Sequence, residues 1–199
     1  MTSSTQSQRP PGRPRSRDAD EAILAAALEL LIESGAGATS IERVAQRAGV
    51  TRATVYRRFP DKTALLVEAI ESMHTDHDPG ALDWAGVEHM LADWAGYLSL
   101  PQGRRMLRRL YGAVDDHPEL LEAYRNAHGR RRAAAVRATL ERARADGLLP
   151  RDSDLDVVQQ ILNGAVLHHL GDYPDDESAA AVEAYLTAVL RQAGYRPSG

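Results

Sequence analysis

Polar residues suited to nucleic-acid recognition are concentrated between positions 51 and 62 of the sequence. Arginine offers paired donors to guanine edges and phosphate, threonine and tyrosine hydroxyls suit phosphate oxygens, and a small alanine allows close approach to a base. The residues expected to contact duplex DNA are Thr39, Thr51, Arg52, Ala53, Thr54, Tyr56, Arg57, Arg58 and Lys62. The alternative is a solvated helical hairpin that carries surface arginines.

Two short helices joined by a sharp turn would position these residues. Thr39-x-x-Glu42 has the form of a capping box, which predicts Thr39 as the N-cap of the first helix. Gly49 suits the turn, because glycine takes positive φ without a steric penalty. In the second helix Val55 and Phe59 are four residues apart, and we expect both to turn inward.

Two further helix starts are marked by capping residues. Thr51 is placed to cap the second helix, and Asp61 to cap the helix that follows Pro60. Lys62, the only lysine of the chain, then lies in a first helical turn. There its charge adds to the positive end of the helix dipole, which favours a phosphate contact.

The segment GATSIERVAQRAGVTRATVYRRFPDKTALL resembles the DNA-binding domain of the tetracycline-repressor (TetR) family of bacterial transcriptional regulators. The resemblance extends from about Asp18 to Met73. It implies an all-helical homodimer with an N-terminal DNA-binding domain and a C-terminal domain that senses a small molecule. By position it implies that Arg52 and Ala53 face base edges, and that the other polar residues named above face the backbone or adjacent edges. Ala53 departs from the family pattern, in which glycine is frequent.

Helical periodicity recurs along the chain, which predicts an all-α fold of about nine helices with no strand. The expected division is a disordered basic tail over 1–17, a three-helix helix-turn-helix domain over 18–62, a connecting helix over 63–74, and a helical ligand-binding and dimerisation domain over 82–195. A loop over 75–81 separates the two halves. One long helix is predicted from Pro118 to Asp146, in which Gly129 marks either a bend or a close contact.

Charge is distributed unevenly between the two halves. The whole chain carries −4, which by itself argues against nucleic acid. Residues 1–62 hold 10 Lys or Arg against 7 Asp or Glu, a net charge of +3, whereas residues 63–199 hold 14 against 21, a net charge of −7. The positive half coincides with the expected DNA contacts, as it should if only one domain meets phosphate.

The composition is that of a globular protein, with 199 residues of which 43% are hydrophobic. The absence of cysteine excludes disulfides and thiolate metal sites. No run approaches the roughly 18 apolar residues of a membrane span, and no signal-peptide pattern is present. We therefore expect a cytoplasmic protein that contacts no membrane, and we expect no cofactor or metal.

The N-terminal tail contains Pro11-Gly12-Arg13-Pro14-Arg15, which resembles the core of an AT-hook. In such a motif the arginines lie in a narrow A·T minor groove, whose negative potential attracts them. Arg13 and Arg15 are therefore candidate DNA contacts. The alternative is a disordered tail with scattered arginines.

The last two helical patterns are candidates for a dimer interface. Two DNA-binding domains spaced by one duplex turn fit a palindrome, and some part of the chain must hold that spacing. Gly164 lies within a helical pattern, where it is unfavourable unless another helix approaches closely. The expected interface comprises Gly164, Ala165, Val166, Val182, Tyr185, Leu186 and Val189. The alternative is that these stripes are buried within one chain.

A ligand pocket is expected among the aromatic residues of the C-terminal half, because such sites combine aromatic walls with a few polar groups. The candidates are Met90, Trp94, Tyr97, Met106, Tyr111, Tyr124, His128 and His168. The alternative for each of them is ordinary core. The arginine clusters at 104–109 and 130–132 are expected to be solvated faces, and the alternatives are pairing with nearby acids or attraction of an anionic ligand.

No catalytic motif accompanies these features: the sequence lacks a nucleophile elbow, a Gly-rich phosphate loop after a strand and an HExxH motif. We do not expect an enzyme. We predict a ligand-responsive, sequence-specific regulator, a repressor that leaves a palindromic operator when a small molecule binds its C-terminal domain. The alternative is a constitutive architectural DNA-binding protein, which would show no preference for one palindrome.

Overall fold

The computed structural model describes residues 15–73 and 82–197, and within them every regular element is helical. The helices are α1 (Arg15–Ser34), α2 (Ile41–Arg47), α3 (Arg52–Tyr56), α4 (Lys62–Ser72), α5 (Val87–Leu98), α6 (Pro101–Gly112), α7 (Pro118–Tyr124), α8 (Arg130–Ala145), α9 (Leu155–Asp172) and α10 (Ala179–Gln192). This confirms the predicted all-α class. Most of the predicted tail (1–14) and the predicted loop (75–81) lie outside the described residues. None of the described helices combines the length and the apolar character needed to cross a membrane.

A π-helical turn, Arg125–Gly129, interrupts the long helix predicted from Pro118 to Asp146. It joins α7 to α8 without a break, so the ten α-helices form nine helical segments over the described residues. A π-turn holds one residue more than an α-helical turn, and such turns are frequent at functional sites. Tyr124 precedes the turn and His128 lies within it.

The first buried core joins the N-terminal helices to α6 and α7. Its members include Ile23, Leu31, Val44, Val55 and Leu65 from α1–α4, together with Met106 and Leu110 of α6 and Leu120 of α7. Helix α4 packs against both α1 and α7. The core is therefore continuous across residue 62, where the sequence predicted a domain boundary. Because packed interiors transmit displacements, a shift of α6 or α7 is expected to move the helix-turn-helix.

The second buried core belongs to the C-terminal half and is formed mainly by α5, α8, α9 and α10. Helix α10 packs along α5 and against α9 of the same chain. Helix α6 approaches α5 closely at Gly103, where an added Cβ would lie 2.9 Å from the Tyr97 carbonyl oxygen and 3.0 Å from its ring atom Cζ. A side chain at this position would force the two helices apart, so the contact between them requires glycine.

Candidate DNA-binding surface and effector site

Helix α2 begins one residue later than the capping-box pattern predicts. Ser40 is the N-cap, and its hydroxyl accepts a hydrogen bond from the Arg43 amide at 3.3 Å. The prediction that Thr39 is the N-cap is wrong, because its hydroxyl donates to the Gly35 carbonyl at 2.9 Å, which holds the side chain inside the α1–α2 turn. Thr39 is 2% exposed, so its side chain is also withdrawn from the predicted DNA contacts.

The turn and the start of α3 agree with the sequence. Gly49 has a φ of +67°, which places it in the left-handed region that glycine tolerates. Thr51 caps α3 by accepting a hydrogen bond from the Thr54 amide at 3.2 Å. Val55 and Phe59 are buried as predicted. The local signals therefore fix which side of α3 faces solvent.

The outer side of α3 presents Arg52, Ala53, Tyr56 and Arg57 to solvent. Half of the Tyr56 surface is exposed, although tyrosine is normally much more buried. Arg57 has no ion pair or hydrogen-bond partner for its side chain among the described residues. An exposed aromatic hydroxyl beside an unpaired guanidinium suits contact with a phosphate backbone.

Arg52 is held by a carboxylate that the sequence assigned to another role. Its Nη2 atom lies 2.7 Å from Oε1 of Glu42 on α2, and both side chains are about half exposed. A hydrogen bond from its own backbone amide lowers the pKa of Glu42, and the Ser40 hydroxyl and the charge of Arg52 contribute further. Glu42 is therefore ionised, and it directs the Arg52 guanidinium along the outer side of the helix-turn-helix.

The side chains of Arg58 and Lys62 form hydrogen bonds to other residues of the DNA-binding domain. Arg58 donates from Nε to the Asp20 carboxylate of α1 and from Nη1 to the Thr54 carbonyl at 3.1 Å, and its side chain is 17% exposed. Lys62 donates from Nζ to the Ala36 carbonyl at 3.0 Å. Asp61 caps α4 as predicted. Arg58 and Lys62 thus fix α3 and α4 relative to α1. Because the Lys62 ammonium has three donors, it can still bind a phosphate.

The candidate pocket residues fall into three groups. Tyr97, Tyr124 and Trp94 lie against the second core, and His128 lies in the adjacent π-turn. Met90 and Met106 are fully buried, in the second and the first core respectively. Tyr111 and His168 are exposed on the surface, and their assignment to the pocket stays a prediction. Helical spacing placed both residues among apolar neighbours but did not reveal which side of the helix would be covered.

Trp84, which the sequence did not single out, and Arg132, from the arginine cluster at 130–132, complete an aromatic cluster. We use this name for Trp84, Trp94, Tyr97 and Tyr124 together with Arg132. The Arg132 guanidinium lies 5.1 Å from the Trp94 ring centroid and 5.8 Å from that of Trp84, within the range of cation–π attraction. Burial raises the pKa of both tyrosines, and the charge of Arg132 opposes that shift. Both hydroxyls therefore stay protonated.

His128 connects the aromatic cluster to α4. Its Nε2 atom lies 3.1 Å from the Ile70 carbonyl, in the last turn of α4, and its ring centroid lies 5.0 Å from that of Tyr124. Burial lowers the pKa of His128, which favours the neutral ring. An imidazole N–H that donates to Ile70 therefore joins the π-turn directly to the helix that begins at Lys62.

Two arginines of α6, Arg104 and Arg108, are predicted from the sequence to be solvated but instead bind Asp175 in the α9–α10 connection. We call these three residues the arginine brace. Arg104 is 1% exposed. It donates from Nε to Asp175 at 3.1 Å and from Nη2 to the carbonyls of His169 at 3.0 Å and Tyr173 at 2.7 Å. Arg108 donates to both Asp175 oxygens, at 2.7 and 2.8 Å. These bonds, mainly those from Arg108, lower the pKa of Asp175 to about 2.

The protonation of His169 follows from the same brace. Arg104 Nη1 lies 2.9 Å from Nδ1 of His169, and because a guanidinium only donates, Nδ1 accepts. The ring proton is then on Nε2, which lies 2.8 Å from Oε2 of Glu177. Burial, and then the charge of Arg104, lowers the pKa of His169 and favours this neutral form. The sequence singled out His168 rather than its buried neighbour.

Part of the predicted dimer interface is buried within one chain. Val182 and Leu186 are fully buried in the second core, so their prediction as interface residues is wrong. Ala165 is also buried, and the Tyr185 hydroxyl donates to its carbonyl at 3.2 Å. Val166 and Val189 are partly exposed, and Gly164 is exposed.

A different set of residues forms the exposed apolar surface of the last two helices. We call this the α9–α10 face: Val157, Ile161, Gly164 and Leu167 of α9 with Ala180, Ala184 and Ala188 of α10. Their spacing of three or four residues places the members of each helix on one side. Apart from the adjoining backbone of α9, an added Cβ at Gly164 would meet no atom of the described residues within 4 Å. Packing inside the chain therefore does not require glycine there.

Comparisons with known proteins agree with this architecture. The family model described as "Bacterial regulatory proteins, tetR family" matches residues 23–69, and the model described as "Tetracyclin repressor-like, C-terminal domain" matches residues 84–192. The uncharacterized HTH-type transcriptional regulator YdeS of Bacillus subtilis is 30% identical over 83% of this chain and 86% of its own length. The DNA-binding transcriptional repressor TetR of Mycobacteroides abscessus is 26% identical over 85% and 93%.

The fold is also that of a solved structure. NalD, the secondary repressor of the MexAB-OprM multidrug efflux pump in Pseudomonas aeruginosa, superposes with a TM-score of 0.65 at 22% identity, over 89% of this chain and 97% of NalD. Two family models thus account for the helix-turn-helix and for the C-terminal helices, in the order the structure has them. The chain belongs to the TetR family of bacterial transcriptional regulators, which are DNA-binding transcription factors and not enzymes.

Proposed function

We propose that this protein is a repressor that binds a palindromic operator as a homodimer and leaves it when a small molecule binds the C-terminal half. The observation that carries the proposal is the first core, in which α6 and α7 share buried residues with the helix-turn-helix. Similar proteins named as repressors, the M. abscessus TetR and NalD, favour repression over activation. A protein with this role acts on the chromosome, so we place it in the cytoplasm.

In this proposal α3 lies in the major groove, with Arg52 and Ala53 against base edges. Thr51, Thr54, Tyr56 and Arg57 contact the backbone or adjacent edges, while Arg58 and Lys62 fix the helix and reach flanking phosphates. Glu42 keeps Arg52 extended before DNA arrives. A guanidinium held in position loses less conformational entropy on binding, which favours bidentate contact with guanine.

The homodimer is formed by the α9–α10 face. Exposed apolar side chains on two adjacent helices are unusual for a monomer surface. Gly164 costs about 1 kcal/mol relative to alanine in an exposed helix, and close approach of a partner helix is the remaining reason to keep it. Two-fold symmetry then packs α9 and α10 of one protomer against α9 and α10 of its partner. This contact sets the distance between the two α3 helices.

Ligand binding is coupled to α4 through His128. An effector that displaces Tyr124 also moves the π-turn, and with it the contact between His128 and the Ile70 carbonyl. Helix α4 carries Lys62 at its other end, so its motion changes the spacing of the two DNA-binding domains. The effector must bind the released arrangement more tightly than the DNA-bound one, because equal affinity shifts nothing.

Retention of host DNA tests the proposed function. The purified protein is mixed with sheared DNA from its own host, and the retained fragments are sequenced. Recovery of one palindrome near a few genes supports a specific regulator, and release of that fragment by an effector supports repression. Uniform recovery across the genome would instead indicate an architectural DNA-binding protein and contradict the proposal.

Substitution of Arg52 by alanine is expected to relax base preference at one position in each half-site, by about 1–3 kcal/mol. The reason is that α3 presents Arg52, aimed by Glu42, on its outer side. Arg57→Ala is the matched control, because it removes an exposed guanidinium assigned to phosphate. It should weaken binding to every duplex and reduce the salt dependence. An unchanged sequence preference for Arg52→Ala, measured by selection from a randomised operator, would remove Arg52 from base recognition.

The tail residues Arg13 and Arg15 are proposed to enter the minor groove beside each half-site. Arg13 and the Arg15 side chain lie outside the described residues. Arg13→Ala should weaken operators with flanking A·T tracts by about 1 kcal/mol, the order of one charge-assisted contact, and should leave those with G·C flanks nearly unchanged. Arg9→Ala serves as the control, because it removes an arginine outside the Gly-Arg-Pro-Arg motif. Equal losses on both flanks, measured by anisotropy, would contradict minor-groove binding.

A further inference from the structure

The aromatic cluster offers several hydrogen-bond donors that have no acceptor. The indole Nε1 atoms of Trp84 and Trp94 are buried without a hydrogen-bond partner among the described residues. Over the same residues, the Tyr97 and Tyr124 hydroxyls make no hydrogen bond, but unlike the two indole N–H groups they are not fully buried. A buried donor without an acceptor is unfavourable, and native structures seldom keep one without a functional reason. What the cluster lacks is a group that accepts hydrogen bonds.

Arg132 is the positive charge of the cluster, and its carboxylate partner is weakly bound. Asp93 Oδ2 lies 3.6 Å from Nη2 of Arg132, and the two side chains are 45% and 35% exposed. Ion pairs of this geometry near solvent contribute little to stability. The guanidinium nevertheless lies over two indole rings, which attract it. It is therefore a positioned cation, reachable from solvent, whose carboxylate partner can be exchanged.

We infer that the effector is an aromatic carboxylic acid, with its carboxylate on Arg132 and its ring among Trp94, Tyr97 and Tyr124. This inference rests on the ligand-responsive function proposed above and adds the chemical class of the ligand. A carboxylate supplies the missing acceptor and forms a charge-assisted, bidentate pair with the guanidinium. Aromatic walls favour an aromatic body by offset stacking. A cationic ligand would be repelled by Arg132, and a neutral one would gain less.

The position of the π-turn explains how such a ligand would be sensed. Tyr97 and Tyr124 pack against the second core, and Tyr124 also packs against the first. An aromatic ring inserted between these tyrosines displaces Tyr124 relative to α5. The π-turn follows Tyr124 directly and carries His128, which contacts α4. The ligand's ring thus acts on the element that the proposed release mechanism uses.

The test compares acids with their own amides on the full-length protein. Benzoate, 3-phenylpropionate and 2-naphthoate are titrated beside their primary amides by calorimetry. Binding of the first two pairs is also followed by emission of Trp84 and Trp94, the two tryptophans of the chain. At least one acid should bind about 10- to 100-fold more tightly than its amide, the advantage expected of a charge-assisted pair.

Three variants test whether the tighter binding of the acid depends on the aromatic cluster. Arg132→Gln should remove the preference for the acid and leave binding of the amide nearly unchanged. Asp93→Asn should strengthen binding of the acid severalfold, because it removes the competing carboxylate. Arg130→Gln changes an exposed arginine two residues away and should alter neither affinity. If Arg132→Gln fails to fold, the gain in Asp93→Asn still decides the question.

Three results would overturn the inference: no acid binds more tightly than its amide, the preference survives in Arg132→Gln, or Asp93→Asn fails to tighten binding of the acid. Its failure is distinct from failure of the proposed function. Release of the operator by a neutral compound would retain the ligand-responsive repressor and reject the acid. Selective binding of an acid through Arg132 with no effect on the operator complex would retain the site and reject ligand-induced release.

Discussion

Substitution of Ile161 by aspartate is expected to convert the protein to a monomer and to lower its affinity for a palindromic operator by about 10²–10⁴-fold. Ile161 is 40% exposed at the centre of the α9–α10 face. In a two-fold interface each substitution appears twice, so two new carboxylates meet across a desolvated contact. Binding of the second half-site is then no longer intramolecular, and the advantage of two linked DNA-binding domains is lost.

The control for this variant is Val114→Asp, which introduces the same charge at an exposed valine outside the α9–α10 face. It should remain dimeric and bind the operator normally. Light scattering measures the oligomeric state, and fluorescence anisotropy measures binding to the palindrome and to an isolated half-site. Half-site affinity should be equal in both variants, because neither changes α3. A dimeric Ile161→Asp protein with unchanged operator affinity would show that the subunits associate through another surface.

The helix-turn-helix was largely predictable because its determinants are local in sequence. Thr51 and Asp61 cap the helices that follow them, and Gly49 adopts the positive φ that its turn needs. The exception shows the limit of local signals. Thr39 and Ser40 both carry hydroxyls suited to an N-cap, and the choice depends on the Gly35 carbonyl, which takes the Thr39 hydroxyl into the α1–α2 turn. That carbonyl belongs to the residue that follows α1, so the capping pattern of α2 alone does not predict its hydrogen bond.

The C-terminal half was less predictable because periodicity identifies an apolar stripe but not what covers it. Val182 and Leu186 form such a stripe on α10, and it is covered within the chain rather than by a partner. The surface that remains exposed is marked on α10 mainly by alanines, which carry little hydrophobic signal. Tyr111 shows the same limit, since it lies on an exposed side of α6 while another side of that helix joins the first core.

The arginine brace was hidden from the sequence because its partners are distant along the chain. Arg104 binds residues 65 to 71 positions away, at His169, Tyr173 and Asp175. In the sequence it stands in a run of four arginines around Met106 and Leu107, and most such runs are solvated. Arg132 stands in a similar run, and aromatic rings from two other segments position it.

Substitution of Arg104 by methionine is expected to lower the free energy of unfolding by about 3–5 kcal/mol, the range for breaking a buried charged network from one side. Methionine fills a similar volume but donates no hydrogen bond. The carbonyls of His169 and Tyr173 lose the donor that Arg104 supplies, and Nδ1 of His169 loses its partner. Equilibrium unfolding in urea, followed by circular dichroism, measures the loss.

Arg105→Met is the matched control, because Arg105 is the exposed neighbour of Arg104 on α6 and should change stability little. Asp175→Asn separates the contributions within the brace. Its carboxylate is 39% exposed, so solvent screening limits the expected loss to about 1 kcal/mol. The carbonyl bonds of Arg104 would remain in that variant. If Arg104→Met lost no more stability than Arg105→Met, the brace would not hold α6 to the α9–α10 connection. A loss confined to Arg104→Met would instead identify this buried guanidinium as the link between α6, which contacts the DNA-binding domain, and the helices proposed to form the dimer.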